Sequence, residues 1–320
     1  MNFAPLVLFT YRRLPRETIE SLLSNDVAKE TDLYIFSDGY RSNIDKRDVL
    51  NVREYLKSIS GFKSIIINEY DSNKGLAVSI ISGVTATLTK FRKVIVLEDD
   101  LIVASNFLDF MNDSLDFYEN DNRIWSISGY SPNFSIPENY KSDIFLSVRG
   151  SSWGWATWKG RWDSIDWQVK NFESIKNNKQ TIEDFEQGGN DLFKMLELQM
   201  LGRIDSWAVR WCFSQFIQNR YTIYPVKSKT INNGFSDEKA VHNNGQSWRK
   251  FDVTLNNKKV RLEKGIIINA AILNEFRKIN NIGLYTKVGY FLKKFGGYQF
   301  AKKTTKLCSS FFKIILFKNK

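Results

Sequence analysis

The stretch V94-I-V-L-E-D-D-L-I-V103 decides how this chain reads. Four apolar residues run into Glu98, Asp99 and Asp100, and the chain then turns apolar again. A short continuous apolar run is the mark of a strand buried on both faces. Three adjacent carboxylates at the end of such a strand repel one another and lose hydration, so they need a compensating partner.

Working outward, the same grammar repeats. P5-L-V-L-F-T10, T31-D-L-Y-I-F-S-D-G39 and K63-S-I-I-I-N-E-Y-D71 read as further strands. Between them, R16-E-T-I-E-S-L-L-S-N25, the segment from Asp45 to Ile59, and N73-K-G-L-A-V-S-I-I-S-G-V-T-A-T-L-T-K-F91 carry helical spacing. A further helix is expected from Asn106 to Tyr118. This β-α-β-α-β-α-β order predicts an α/β fold: a Rossmann-like, mostly parallel sheet flanked by helices. Ligands of such sheets bind beyond the carboxyl ends of the strands. Thr10, Arg12, Asp38, Asp71, Asn73 and Glu98 to Asp100 all fall there.

No G-x-G-x-x-G follows the first strand and no G-x-x-x-x-G-K-[ST] occurs, so no glycine-rich loop cradles a phosphate. Carboxylates at a strand end suit Mn²⁺ or Mg²⁺, which prefer oxygen ligands and share them with phosphate oxygens. The plainer alternative is a solvated turn leading into the helix at Asn106.

Beyond residue 125 the pattern changes. I124-W-S-I-S-G-Y-S131, D143-I-F-L-S-V-R-G150 and Y221-T-I-Y-P-V226 look like strands, and a long helix is expected from Thr181 to Leu201, ending at Gly202. Five tryptophans lie between Trp153 and Trp167, in a chain whose aromatic content is 14%. No internal repeat or proline-rich linker separates the halves, which are expected to share one globule.

The formal net charge of +11 is uneven. Residues 281–320 hold nine lysines and no acid, leaving only +2 for the other 280. Lysines interleaved with Tyr, Phe, Leu and Ile suit an anionic membrane surface. The tail lacks arginine and the body shows no nucleic-acid module, so nucleic acid is not an expected partner. Cys212 and Cys308 form neither a disulfide framework nor a metal pattern, which suits a reduced, cytoplasmic setting. The early F3-A-P-L-V-L-F-T-Y-R-R13 carries its charges after the apolar run and reads as a strand rather than a signal peptide.

The ordered set F9-T-Y-R-R13, F36-S-D-G39, N73-K-G75, V96-L-E-D-D100 and D205-S-W207 resembles the nucleotide-diphospho-sugar glycosyltransferases of the glycosyltransferase-A fold. It is similar in particular to the N-acetylglucosaminyltransferase I family and its bacterial relatives, over about residues 3–245. The resemblance implies an inverting, metal-dependent hexosyltransferase. Its donor would be a UDP-sugar, with N-acetylglucosamine the sugar suggested. The basic aromatic tail, which suits a membrane surface, points for the acceptor to a hydroxyl of a cell-surface glycan or lipid-linked oligosaccharide.

By the same resemblance, Thr10 and Arg12 would contact the nucleotide, Asp38 the uracil edge, and Asn73, Lys74 and Gly75 the base and ribose. Glu98 and Asp99 would hold ribose and sugar, and Asp100 would ligate the metal. Asp205 would be the catalytic base, with helix capping as its plainer reading. Here Ile204 stands where the family has Trp, and Ser206 replaces a second Asp. S151-S-W-G-W-A-T-W158 is similar to a loop shaping the donor and acceptor site, which nominates Trp153, Gly154 and Trp155; Trp207 joins them. The sole histidine, His242, would touch a phosphate or the metal.

The expected organisation is a nucleotide-sugar half (1–124), an acceptor and catalytic half (125–250) and a basic aromatic segment (251–320). That segment would hold the protein to the cytoplasmic face of a membrane. A nucleotidyltransferase is the enzymatic alternative, disfavoured because T10-Y-R-R-L-P-R-E17 has no glycine. A non-catalytic glycan-binding or membrane-docking protein is the other.

Overall fold

The computed structural model describes residues 3–234 and 254–281. The chain divides into two compact units, Met1–Ile279 and Asn280–Lys320. Apart from residues 280 and 281, the second unit lies outside the described residues, and so do His242 and Cys308.

The first half runs β1 (Leu6–Thr10), α1 (Arg16–Leu23), β2 (Asp32–Ser37), α2 (Asn43–Lys57), β3 (Ser64–Glu69), α3 (Leu76–Leu88), β4 (Lys93–Glu98), β5 (Leu101–Val103) and α4 (Phe107–Phe117). The second runs β6 (Ile124–Ser128), β7 (Ile144–Ser147), β8 (Trp155–Trp158), then α5 (Lys159–Trp162), α6 (Phe172–Ile175), α7 (Lys179–Phe185), α8 (Leu192–Met200) and α9 (Trp207–Ile217). It closes with β9 (Tyr221–Pro225), β10 (Thr230–Asn232) and α10 (Ala270–Asn280).

Eight strands form one sheet in the order β3-β2-β1-β4-β8-β6-β9-β7. β3, β2, β1 and β4 are parallel neighbours, as the alternating sequence predicts. β8 enters antiparallel between β4 and β6, and β7 pairs antiparallel with β9 on the far edge. The mixed sheet is thus mostly parallel. The order reverses between β1 and β4, which puts the topological switch point at the ends of those two strands.

The reason every residue of β1 is buried is that both faces are covered. Leu6, Leu8, Leu33, Ile35, Ile95 and Leu97 pack with Ile19, Leu22, Val52, Leu56 and Met111 of α1, α2 and α4. Val7, Phe9, Phe36, Val94 and Val96 face the other way, onto Ala77, Ile80 and Val84 of α3 and Leu196, Val209 and Trp211 of α8 and α9. Period-2 alternation of the strands therefore sorts one apolar run into two cores.

The structure corrects several expectations. The helix expected from Thr181 to Leu201 is broken: α7 ends at Phe185, and Gly189 at φ 137° separates it from α8. Trp155–Trp158, expected as part of a loop, is strand β8. Trp155 and Trp207, expected at the substrate, are 1% and 3% exposed. Their rings stack at 5.1 Å within a cluster that includes Trp162 and Trp211, so they fill the core beneath the sheet.

A second, two-stranded ribbon pairs β5 with β10 antiparallel, Leu101 opposite Asn232. Lys229, just before β10, is fully buried. Its Nζ donates to Asn106 Oδ1 at 2.9 Å and to the carbonyls of Asn256 at 2.5 Å and Lys258 at 2.6 Å. Three oxygens replace the water a buried ammonium would lose. No helix among the described residues is long and apolar enough to cross a membrane.

Candidate functional site

Strand register brings the polar strand ends together. Thr10 pairs with Ser37, and Phe9 pairs with both Phe36 and Glu98, so the termini of β1, β2 and β4 stand side by side. Thr10 is 4% exposed, and its Oγ1 is buried without a hydrogen-bond partner. Its carbonyl accepts from the Asp38 amide at 3.0 Å.

Asp38 organises the neighbouring loop. Its carboxylate accepts from the amides of Gly39 (2.9 Å), Lys74 (2.8 Å) and Gly75 (3.0 Å) and from Asn73 Nδ2 (2.9 Å). A carboxylate offers about four lone-pair sites; these four donors take them all, so Asp38, expected at the uracil edge, holds the loop instead of reading a base. Gly39 is required because a Cβ there would lie 2.3 Å from the Ser72 carbonyl carbon. Gly75 holds φ 80° and ψ 159°, a region essentially confined to glycine, and starts α3. Asn73 also accepts from Arg41 Nε at 3.0 Å, and Lys74 Nζ sits 3.6 Å from the Tyr70 ring centroid.

The acidic run Glu98–Asp100 is half-buried at the switch point. Burial, with the charges of Asp100 and Asp99 beside it, pushes the Glu98 carboxyl well above the usual carboxylate range. Burial also raises Asp100, opposed by Arg13 and by the hydrogen bond from Asn232. Asp99 Oδ2 accepts from the Tyr11 amide at 3.1 Å and its carbonyl from Thr18 Oγ1 at 3.2 Å, which ties the β1 and β4 loops together.

Asp100 is covered by the end of β10. Its Oδ2 lies 3.2 Å from Asn232 Nδ2 and 3.9 Å from Arg13 Nη1, and a Cβ on Gly234 would come within 2.4 Å of it. Arg13 Nη2 donates to the Gly234 carbonyl at 3.3 Å, and the Asp100 carbonyl accepts from the Asn233 amide at 2.8 Å. Sequence reading does not single out Arg13, whereas Asn232 and Gly234 open the stretch N232-N-G-F-S-D-E-K-A-V-H-N-N-G245, whose resemblance suggests a loop over the diphosphate. Only the pairing of two three-residue strands brings these two over Asp100.

On the facing side, Asp205 is 59% exposed and 3.8 Å from Arg210 Nη2. Its Oδ2 lies 3.7 Å from the position of a Cβ on Gly75. The cap of α9 is Ser206, whose Oγ accepts from the Val209 amide at 3.3 Å, so Asp205 is not spent on capping. Trp153 is half-buried against Tyr130, with ring centroids 4.5 Å apart, and its carbonyl accepts from Thr230 Oγ1. Gly154, at φ 70°, leaves no room for a Cβ, which would meet Thr230 Cγ2 at 2.7 Å. Arg12 is half-buried beside the same strand end.

The structure therefore brings together Thr10, Arg12, Asp38, Asn73, Lys74, Gly75, Glu98, Asp99, Asp100 and Asp205. It withdraws Trp155 and Trp207 into the core.

The donor set suits a hard dication that keeps most of its ligands as water or phosphate oxygen. Glu98, Asp99 and Asp100 offer carboxylate oxygen, but among the described residues no group of three or more His, Cys, Asp or Glu is placed to hold a metal ion, so protein ligands alone do not complete such a site.

No protein-family model matches the chain, and no curated protein matches it. Solved structures do. S. aureus TarS 1-349 in complex with UDP-GlcNAc is 10% identical with a TM-score of 0.35, over 71% of this chain and 57% of that one. GalNAc-T7 with UDP, GalNAc and Mn²⁺ is 11% identical with a TM-score of 0.42, over 70% of this chain and 43% of that one. The chain thus spans less than two thirds of either. The fold stands on the sheet order and packing described above.

Proposed function

We propose that the protein is a metal-dependent glycosyltransferase of the glycosyltransferase-A type. It would move a sugar, N-acetylglucosamine in our reading, from a UDP-sugar to a hydroxyl of a glycan or lipid-linked saccharide with inversion. What supports the reading is that the Asp38-clamped loop 73–75 lies beside the exposed carboxylate of Asp205, and that the strand ends carrying Asp38 and the acids Glu98–Asp100 flank the end of β1.

In this reading residues 1–124 hold the nucleotide and residues 125–250 the acceptor. By the sequence resemblance Thr10 and Arg12 would contact the nucleotide, Arg12 through its guanidinium. The clamped Asn73-Lys74-Gly75 backbone walls the base and ribose. Glu98 and Asp99 border the ribose and sugar, and Asp100, with His242 as the sequence suggests, would hold Mn²⁺ or Mg²⁺. Bound there, the dication would neutralise a diphosphate and make it a better leaving group. Asp205 takes the proton of the acceptor hydroxyl, its exposure giving the acceptor access and Arg210 fixing its orientation. Trp153 offers an aromatic face beside that site. The lysine-rich residues 281–320 would seat the enzyme on the anionic cytoplasmic face of a membrane.

A thermal-shift panel of nucleotide sugars with and without Mn²⁺ tests the reading, because a specific ligand stabilises the fold by mass action. A UDP-sugar that raises the melting temperature only with the metal supports it. A panel in which no nucleotide sugar shifts the transition overturns it.

A further inference from the structure

Asp100, the residue our functional reading gives to the dication, already has a cation beside it. The Arg13 guanidinium lies 3.9 Å from its Oδ2, and the Asn232 amide donates to the same oxygen at 3.2 Å. Both side chains of the pair are mostly buried, at 17% and 26% exposure, so water screens them weakly. Arg13 is itself held over the site, donating to the Gly234 carbonyl at 3.3 Å. Gly234 has no side chain because a Cβ would strike Asp100 Oδ2 and crowd Arg13 Nη1, at 2.4 and 3.1 Å. The chain has thus closed three of its own groups, from the β1 loop, β10 and its following turn, around one carboxylate.

We propose that Arg13 is an internal competitor for the dication: it neutralises Asp100 in the absence of nucleotide and makes dication and nucleotide diphosphate bind as a coupled pair. A free Mn²⁺ must compete with a positive charge already in place, which opposes its entry. A diphosphate offers Arg13 a second anion of matching geometry, since guanidinium groups pair with phosphate oxygens as readily as with carboxylate. With Arg13 drawn toward phosphate, Asp100 is left to the metal. The coupling is reciprocal: Mn²⁺ strengthens UDP binding by the same factor by which UDP strengthens Mn²⁺ binding. This inference rests on Asp100 being the metal-binding carboxylate.

The test is titration of Mn²⁺ followed by the electron paramagnetic resonance signal of the free ion, with the full chain, in the absence and presence of UDP. Wild type is expected to bind Mn²⁺ weakly alone and more tightly with UDP. Arg13→Gln removes the charge and is expected to bind Mn²⁺ alone about fivefold tighter, the scale of one partly exposed ion pair, while the gain from UDP shrinks. Arg13→Lys keeps the charge and should stay near wild type, which separates charge from packing. Melting curves of both variants confirm folding. Unchanged or weaker binding of Mn²⁺ alone by Arg13→Gln, with UDP-dependent Mn²⁺ binding retained, overturns the inference and spares the functional reading. Absence of Mn²⁺ binding by any form, even with UDP, overturns both.

Discussion

The carboxylate of Asp205 stands across from the start of α3, its Oδ2 3.7 Å from where a Cβ on Gly75 would lie. Gly75 closes loop 73–75, and Asp205 immediately precedes Ser206, the cap of α9. The α9 cap is supplied by Ser206, so capping does not occupy Asp205, the residue proposed above as the base. Asp205→Asn is expected to lower turnover by about 10²–10⁴-fold, the usual contribution of a positioned base. Nucleotide affinity should be unchanged. Parallel measurement of kcat and of UDP binding by calorimetry checks this, and near-normal kcat would remove Asp205 from the role.

Gly75 adopts a backbone conformation that side chains rarely tolerate. Gly75→Ala should destabilise the fold by about 1–3 kcal/mol and distort the wall of the donor pocket. Urea unfolding reads the first effect and the KM for the donor reads the second. A variant as stable as wild type would show that the loop relaxes without cost.

Asp38 is the keystone of that same loop. Asp38→Asn replaces one acceptor oxygen with an amide that faces N–H donors, so at least one buried donor loses its partner. The expected loss is about 1–3 kcal/mol of stability, accompanied by a raised donor KM. Unaltered unfolding in urea would show that the four hydrogen bonds at Asp38 carry little.

The first four strands and three helices are legible in the sequence because each buried run is bounded by polar residues that stop it. Leu6–Thr10 ends in Tyr11-Arg12-Arg13, and Lys93–Glu98 ends in Asp99-Asp100. The segment read as helical from Asp45 to Ile59 is α2, which starts two residues earlier because Ser42 and Asp45 form a capping box there.

The second half is less legible for physical reasons. β8 is four residues long and rich in tryptophan, so neither alternation nor length distinguishes it from a loop. β5 and β10 are three residues each and exist only because they pair across more than a hundred residues. The buried Arg149–Asp191 pair, at 2.7 Å, joins residues 42 apart and leaves no local signal. Trp153 and Trp155 look alike in sequence, yet β8 turns Trp155 into the core and leaves Trp153 half-buried beside Tyr130.

Lys229 gives the fold a pH dependence. Burial pushes its amine down to about 8, partly offset by the negative charge of Asp143, against an ordinary value of 10.5. Between those two values the unfolded chain binds the proton more tightly than the folded one, so this residue makes the fold more stable as pH rises through the window. Lys229→Met removes that term and leaves three oxygens unpaired. The stability gap between wild type and variant should therefore widen as pH rises from about 8 toward 10.5. Denaturant unfolding across that range measures it, and a gap that stays constant or narrows would contradict the assignment.

The central claim is that the acids at the switch point of the sheet grip a dication that in turn grips the nucleotide's diphosphate. The most direct measurement is calorimetric titration of UDP into wild type and Asp100→Ala, each with and without Mn²⁺. The account predicts that Mn²⁺ strengthens UDP binding to wild type and has no such effect on Asp100→Ala. Equal UDP affinities in all four titrations, or an undiminished metal effect in the variant, would contradict it.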